Sequence, residues 1–585
     1  MRFACGILAL LLAGLSAAPA LAARPSIGTM LRSRLMPVRA VHTAALKPSA
    51  NPGSSLIGSL NTLTADPAVP RPRTKPCVVP LFTNFQFAAY AAQGFSYTPP
   101  AACPPPWSKV VFEGDFAISP GVQYDRTLDV WLGNTNLLFG TTPEPLANIV
   151  DTWHVERDVT DLTALLRSAQ PGEVELFNII EPGLNGVQSG STDLAFYPSN
   201  RDNPAPKTPD VVLPMSGGYG GELLSTTATQ NATVTFTSLP ANIERAYLDV
   251  YAQSQSGDEF WYLCLSSDVT RDFSTCGNTA FRETDISIDG QLAGVAPVHP
   301  WIYTGGIDPY LWTPIPGGQT LDFTPYRVDL TPFAALLSNG KPHQIAIGVF
   351  DANSYFSTTG TLELFLDRGR RQVTGGLLAD TLTAPSPVLT ENVTNPGSAP
   401  NGKETVASSR DFTISGYTNT SQGRIETQIR QHIDFNNSQQ LTDTANLEVQ
   451  NVTQSTHVST ATTTSGRYGA THALMNVSYP LTVDISLPFN ADGSFSQATS
   501  ISQLDSELAF DPFASSFPEV SQFNNLVTSA DTLEISSAYT LVGNTGQASA
   551  QTYRAVGPPY GCYGKAIAAA ANAVTAVNDV GCFGH

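Results

Sequence analysis

The chain is poor in charge, poor in histidine and, beyond Trp312, without tryptophan. Only 14% of its 585 residues are charged, and 49 acidic side chains outnumber 30 basic ones, a formal charge of −19. Such a surface repels phosphate backbones and anionic lipid, which weighs against nucleic acid or membrane surfaces as partners. Beyond the first residues no apolar run approaches the roughly 20 residues that span a bilayer, so no membrane insertion is expected. There is no Gly-x-Ser-x-Gly elbow, no His-Glu-x-x-His pair and no phosphate- or dinucleotide-binding glycine fingerprint. The eight histidines are scattered and no cysteines have Cys-x-x-Cys spacing, so neither a metal nor another cofactor is expected. The chemistry left open is that of clustered carboxylates.

What is present begins with an address. Arg2, the apolar run Ile7 to Leu15 and the small-x-small tripeptide Ala20-Leu21-Ala22 read as a signal peptide over 1–22, placing the protein in a secreted or periplasmic setting. Exported thiols pair, and the six cysteines left fall into three local couples, predicting Cys77–Cys103, Cys264–Cys276 and Cys562–Cys582. Residues 23–75 hold eight basic side chains against one acid, Asp66, among Ser, Pro and Ala, and read as a flexible leader or propeptide.

The remainder alternates apolar and polar residues in short runs broken by Gly, Pro and Asn, the signature of an all-β chain. Two self-contained blocks, 76–238 and 239–371, each carry a strand-then-turn phrase, Asp158-Val159-Thr160-Asp161-Leu162 and Val328-Asp329-Leu330-Thr331-Pro332, which suggests two related sandwiches in tandem. Residues 372–585, rich in Ser, Thr and Asn, form a third β-rich region, in which Ala-rich Lys565 to Val580 has the composition of a short helix. All six tryptophans lie in the two blocks, as sugar platforms or as core.

Two acid clusters sit beside aromatics and an arginine: Gln123-Tyr124-Asp125-Arg126 leading to Trp131, and Gly257-Asp258-Glu259-Phe260-Trp261-Tyr262 with Phe281-Arg282-Glu283. Each is either a site with perturbed acids or a buried Asp–Arg pair that ties strands together.

These segments, with Ile288-Asp289-Gly290, Tyr303-Thr304-Gly305-Gly306-Ile307-Asp308-Pro309, Trp312-Thr313-Pro314-Ile315, Asn339-Gly340-Lys341-Pro342-His343 and Thr142-Pro143-Glu144-Pro145, resemble the peptide N-glycanase A family of acid-active amidases. More distantly, Tyr124-Asp125-Arg126 and the Asp158 phrase are similar in order to peptide N-glycanase F, which has two jelly rolls and a Trp-Asp-Arg tripeptide. The resemblance implies two tandem jelly-roll-like sandwiches and catalytic roles for Asp125, Glu259 and Glu181. Arg126, Asp258, Trp261, Glu283 and Trp301 are the expected substrate-binding residues. It also implies a monomer that hydrolyses the Asn to N-acetylglucosamine amide of N-glycosylated peptides and glycoproteins at acidic pH. The rival functions are an endoglycosidase and a glycan-binding adhesion protein. The six Asn-x-Ser/Thr sequons, expected by chance in so Ser/Thr-rich a chain, favour none of them.

Overall fold

The computed structural model describes residues 56–218, 220–273, 275–395, 399–511 and 519–583. The expected signal peptide and the leader as far as residue 55 lie outside them. Among the described residues no helix is long and apolar enough to cross a membrane.

Alternating side chains put one face of each strand inward, and the strands assemble into two jelly rolls of the same topology. In the first, β1 (Cys77–Phe87), β3 (Trp107–Ile118), β6 (Asp151–Asp158) and β8 (Gln188–Pro198) form a sheet in the order β1-β8-β3-β6. The facing sheet runs β2-β7-β4-β5, from β2 (Gln93–Tyr97), β4 (Thr127–Leu132), β5 (Thr135–Thr141) and β7 (Gln170–Leu176). The second roll repeats the pattern one strand set later. Its strands are β9 (Val211–Met215), β10 (Leu224–Thr226), β11 (Ala232–Phe236), β12 (Ile243–Gln255), β13 (Glu283–Ile288), β14 (Gln291–Pro297), β15 (Tyr326–Asp329), β16 (His343–Phe350) and β17 (Tyr355–Leu366). They pair as β10-β17-β12-β15, with β9 also on β17, and as β11-β16-β13-β14.

The echoed phrases occupy equivalent places. After β6, Asp158 accepts the Thr160 N–H at 3.1 Å; after β15, Asp329 accepts the Thr331 N–H at 2.9 Å, and a short helix follows each turn. The expected boundary at 238/239 falls late, because β9 to β11 complete the second roll's sheets rather than the first's. All three expected disulfides are present.

All six tryptophans are buried, none more than 5% exposed, which favours the core alternative over the sugar platform. Two expectations are overturned. Lys565 to Val580 is not helical: Gly561–Ala570 and Ala573–Asp579 pair as a hairpin turned at Ala571 and Asn572, both with positive φ. Sheet pairing and the burial of Ile567, Ala569 and Val574 outweigh alanine's helix preference. Residues 56–75 are a strap rather than a flexible leader. Thr62 donates its N–H and hydroxyl to Asp151 at 2.8 Å, and Arg71 pairs with Glu113 and Glu156 at 2.7 Å. The Ala65 N–H donates to Gln551 at 2.6 Å. Arg71, one of the basic residues that suggested disorder, thus finds two half-buried carboxylates on the first roll.

Among the described residues, twelve strands from Thr374 to Asp579 form one antiparallel sheet. Its inner face supplies Phe412, Ile414, Ile433 and Val458 to the second roll's core, and Phe435, Val452 and Ile501 to a cluster around Trp261 and Phe281. It also carries buried and half-buried amides that donate to loop carbonyls of the second roll. Asn437 bonds Tyr262 at 2.9 Å, Gln439 bonds Cys264 at 2.8 Å, Gln450 bonds Leu263 at 3.0 Å, Gln503 bonds Pro300 at 2.8 Å and Asn572 bonds Tyr310 at 2.9 Å. A buried carbonyl without a donor costs about 1–3 kcal/mol. Gln450→Leu therefore lowers unfolding free energy by about that amount, readable by denaturant titration; an unchanged midpoint would contradict the clamp.

Many carboxyls are buried where these layers meet. Burial pushes Asp151 up to about 6 and Asp505 to about 7. It raises Glu283, where Asp285 adds a second charge, and Asp308, which faces Asp531. An unfolded carboxyl titrates near 4. Between pH 4 and about 7 the folded chain thus holds protons the unfolded chain has lost, and the associated stability, full below pH 4, is lost as pH rises. The melting temperature should fall by several degrees from pH 5 to pH 8, and a rise over that range would contradict the buried-acid account.

Candidate active site

Asp125 lies in the segment leading into β4, which is fixed on both sides. The Gln123 amide donates to the carbonyls of Ile179 at 3.0 Å and Gly186 at 3.3 Å. The Arg126 N–H donates to the Thr142 hydroxyl at 3.0 Å, and the Thr142 N–H returns to the Arg126 carbonyl at 2.8 Å. Thr142 also reaches across to the second roll, its carbonyl accepting the Thr304 hydroxyl at 2.8 Å. That contact brings the loop at 299–320 against Asp125, and the Gly305 N–H donates to Asp125 Oδ2 at 2.9 Å. Asp125 is 6% exposed.

Gly305 is required by space rather than by backbone angle. A Cβ there would meet Glu144 Oε2 at 2.2 Å and Asp125 Oδ1 at 2.8 Å, so the two carboxyls face one another over the glycine, within about 5 Å. The Asp125 N–H also points at Glu144 Oε2, at 3.5 Å. The composition-based search for acids beside aromatics missed Glu144, whose prolines on either side left no strand pattern to place it.

Glu259, half-buried, comes from the second roll. Its neighbour Asp258 anchors it: the fully buried Asp258–Arg282 pair closes at 2.9 Å, and Asp258 accepts the N–H groups of Asn353 at 3.0 Å and Ser354 at 2.6 Å. The Glu259 carbonyl accepts the Ser254 hydroxyl at 3.3 Å, and the Ser254 carbonyl accepts the Tyr303 hydroxyl at 2.6 Å. Tyr303 links the acids: burial pushes its hydroxyl up, and the charges of Glu259 and Asp125 push it further. Tyr355 is raised by burial, then by Tyr90 and Glu259. Tyr303 stands on an aromatic seam of Phe139, Tyr251, Trp301 and Phe323, where the two rolls share the expected apolar interface.

The other expected residues are placed differently. Arg126 directs its guanidinium to Gln123 Oε1 at 2.6 Å and over the Tyr124 ring. Glu181 is exposed on a turn, its N–H bonded to the Leu184 carbonyl at 2.9 Å, not on a strand, because β7 ends at Leu176. Asp258 is the structural Asp–Arg pair. Glu283, 3% exposed, pairs with Arg410 of the large sheet. Trp261 and Trp301 are enclosed in protein, each under 5% exposed, so neither offers a sugar an open face. Substrate contact at Asp258, Trp261, Glu283 and Trp301 is thus corrected to core and anchoring positions. Among the described residues no group of three or more His, Cys, Asp or Glu is arranged to hold a metal ion.

Gly305→Ala should displace the facing carboxyls and, since a misplacement of about 1 Å can cost ~10²-fold in rate, abolish most turnover with little change in melting temperature. Full activity in the variant would show that the pair is not part of the reacting site.

Residues 67–380 match the family model of peptide N-acetyl-beta-D-glucosaminyl asparaginase amidase A. The chain is 31% identical over 401 residues, 65% of its own length and 69% of the relative's, to peptide-N4-(N-acetyl-beta-glucosaminyl)asparagine amidase A of Prunus dulcis. Of solved structures, PNGF-II aligns with a TM-score of 0.36 at 14% identity, over 50% of this chain. The chain spans 65% of that structure's length, just under two thirds. PNGase F from Flavobacterium meningosepticum aligns with a TM-score of 0.32 at 13% identity, over 50% of this chain and 96% of that one.

Proposed function

The chain belongs to the peptide N-acetyl-beta-D-glucosaminyl asparaginase amidase A family, and from that membership we propose that it hydrolyses the amide joining Asn to the first N-acetylglucosamine of N-glycosylated peptides and glycoproteins. As a member of that family it is an amidase. The reaction releases the glycan whole and leaves Asp in the peptide. The observation that carries this reading is that one short segment of the second roll's loop ties both acids together inside the family-matched region: the Gly305 N–H donates to Asp125 at 2.9 Å, and the Tyr303 hydroxyl donates to the carbonyl of Ser254, whose own hydroxyl donates to the Glu259 carbonyl.

Amide hydrolysis needs an activated water, a stabilised oxyanion and a proton for a poor leaving group. Asp125 handles the protons of water and departing nitrogen. Glu259 orients the water or the first sugar, and Arg126 steadies the developing negative charge. The buried carboxyls that favour the protonated fold support work in acid, and the three disulfides support an oxidising, exported setting. One observation favours a second reading: the carboxyl oxygens of Asp125 and Glu144, no more than about 5 Å apart, also suit a glycosidase that works with two neighbouring acids.

Product mass separates the two. On a defined glycopeptide in acid the amidase converts Asn to Asp, whereas a glycosidase leaves one N-acetylglucosamine on Asn, and that product would overturn the proposal. Asp125→Asn, which keeps shape but not the titrating proton, should lower the rate ~10²–10⁴-fold with the melting temperature near the parent's. Retained turnover with lost stability would make Asp125 a structural acid.

A further inference from the structure

We propose that Tyr90, backed by Phe177, is the open sugar platform of the site: its ring stacks on the pyranose that follows the first N-acetylglucosamine and sets affinity for the glycan rather than the rate of bond cleavage. This rests on the proposed amidase reading and names where the glycan, as distinct from the scissile amide, is held.

Buried tryptophans leave the two rolls short of open rings. Among the described residues of the rolls, Tyr90 is the one Phe, Trp or Tyr that is exposed, at 64%, the others being buried or half-buried. A singly exposed apolar ring is ordinary on a surface, and position is what distinguishes this one. Tyr90 lies in the loop between β1 and β2, and its ring packs on Phe177 with ring centres 4.8 Å apart. Phe177 opens the segment 177–180, directly after β7, and this segment holds the chain on both sides of Asp125. The Phe177 N–H donates to the Thr127 carbonyl at 3.4 Å, and the Ile179 carbonyl accepts the Gln123 amide at 3.0 Å. The same segment is tied back to the Tyr90 loop: the Asn178 amide donates to the Phe87 carbonyl at 2.7 Å, and the Ile180 N–H to the Ala88 carbonyl at 3.2 Å. One short support therefore carries the Asp125 segment on one side and Tyr90 on the other.

The second roll arrives at the same place. Gln253 of β12 donates to the Thr127 hydroxyl at 3.3 Å, and two residues on Gln255 pairs with Tyr355, where β17 begins. Between them Ser254 holds the Glu259 carbonyl at 3.3 Å. Tyr355 is half-buried, and its hydroxyl, raised by burial, also feels Tyr90 and Glu259. The open ring thus stands at the mouth of the seam with polar groups beside it.

These neighbours select the ligand. A pyranose offers a C–H face to an aromatic ring and carries hydroxyl and acetamido groups round its edge, so it suits an open ring with polar neighbours, whereas an apolar peptide side chain suits a closed pocket. Phe177 stands between Tyr90 and the Asp125 segment, which sets the open ring outward of the sugar that bears the scissile amide and beside the next one.

The test uses the full chain and a defined glycopeptide, with products weighed and kcat and KM measured for the parent, Tyr90→Ala, Tyr90→Phe and Tyr468→Ala. N,N′-diacetylchitobiose and the glycan-free product peptide serve as inhibitors. Tyr468, 83% exposed on the turn between Leu447–Gly466 and Gly469–Ser478 of the large sheet, is the control. Tyr90→Ala should raise KM and the chitobiose inhibition constant together by ~10-fold, with kcat and melting temperature near the parent's and the peptide's inhibition constant unmoved. Tyr90→Phe, which keeps the ring, should recover both constants, and Tyr468→Ala should match the parent. The inference is overturned by a Tyr90→Ala variant with the parent's KM, by a raised KM without a raised chitobiose constant, or by loss confined to kcat or to melting temperature. It is equally overturned if Tyr90→Phe is as weak as Tyr90→Ala, if Tyr468→Ala shows the same effect, or if chitobiose fails to inhibit the parent. In all of these the amidase reading stands while the parent converts Asn to Asp. A parent that leaves a sugar on Asn removes that reading and this inference with it.

Discussion

Buried and half-buried side-chain amides of the twelve-stranded sheet, donating to the carbonyls of irregular loops, are the interaction on which the site depends. The segments 259–266 and 299–320 leave the second roll's ladders, so their backbone groups have few strand partners, yet residues such as Tyr262, Leu263, Cys264 and Ile302 are fully enclosed. Asn437, Gln439 and Gln450 satisfy the first stretch, and Gln503 and Asn572 the second. Glu259 rides on one stretch, Tyr303 and Gly305 on the other. A regular ladder could not have brought a glycine N–H to Asp125, and a loop without these donors could not have stayed buried.

The aromatic seam does complementary work. Trp301 packs on Phe323 with ring centres 4.2 Å apart, and Phe139 meets both Phe323 and Tyr251, so the first roll's outer sheet is fixed against the second. With the rolls fixed, Thr142 and Thr304 can meet, and Asp125 and Glu144 are set against Gly305. Trp301, which suggested a sugar platform, serves instead to hold the seam beside Tyr303. The same burial encloses carboxyls such as Asp308 and Asp505, which ties the fold's stability to acid.

Much of this was legible in the chain. Alternation in segments such as Ala246 to Tyr251 gave strands, cysteine spacing gave the three bridges, and the echo of Asp158 in Asp329 marked two rolls of one design. What was not legible depended on tertiary partners. Lys565 to Val580 pairs as strands because a neighbouring strand and the strap residue Ala65 are there to receive it. The strap looked disordered because Glu113, Glu156 and Gln551, which hold it, are distant in sequence. Asp125 and Asp258 had identical local signatures, an acid beside aromatics and arginine, and the arginines separate them: Arg282 closes on Asp258, whereas Arg126 turns to Gln123. Glu144 carried no local signal, since what distinguishes it is a glycine 161 positions later.

The central claim is that the scissile bond sits at the seam between the rolls. It is tested most directly by a crystal structure of the Asp125→Asn variant with a chitobiosyl-asparagine peptide. The account predicts the glycosidic amide beside residue 125 and Gly305, with the first sugar toward Glu259. A sugar seated elsewhere, such as in the groove of about 790 Å³ between the second roll and the large sheet near Tyr247 and Phe365, with the seam empty, would contradict it.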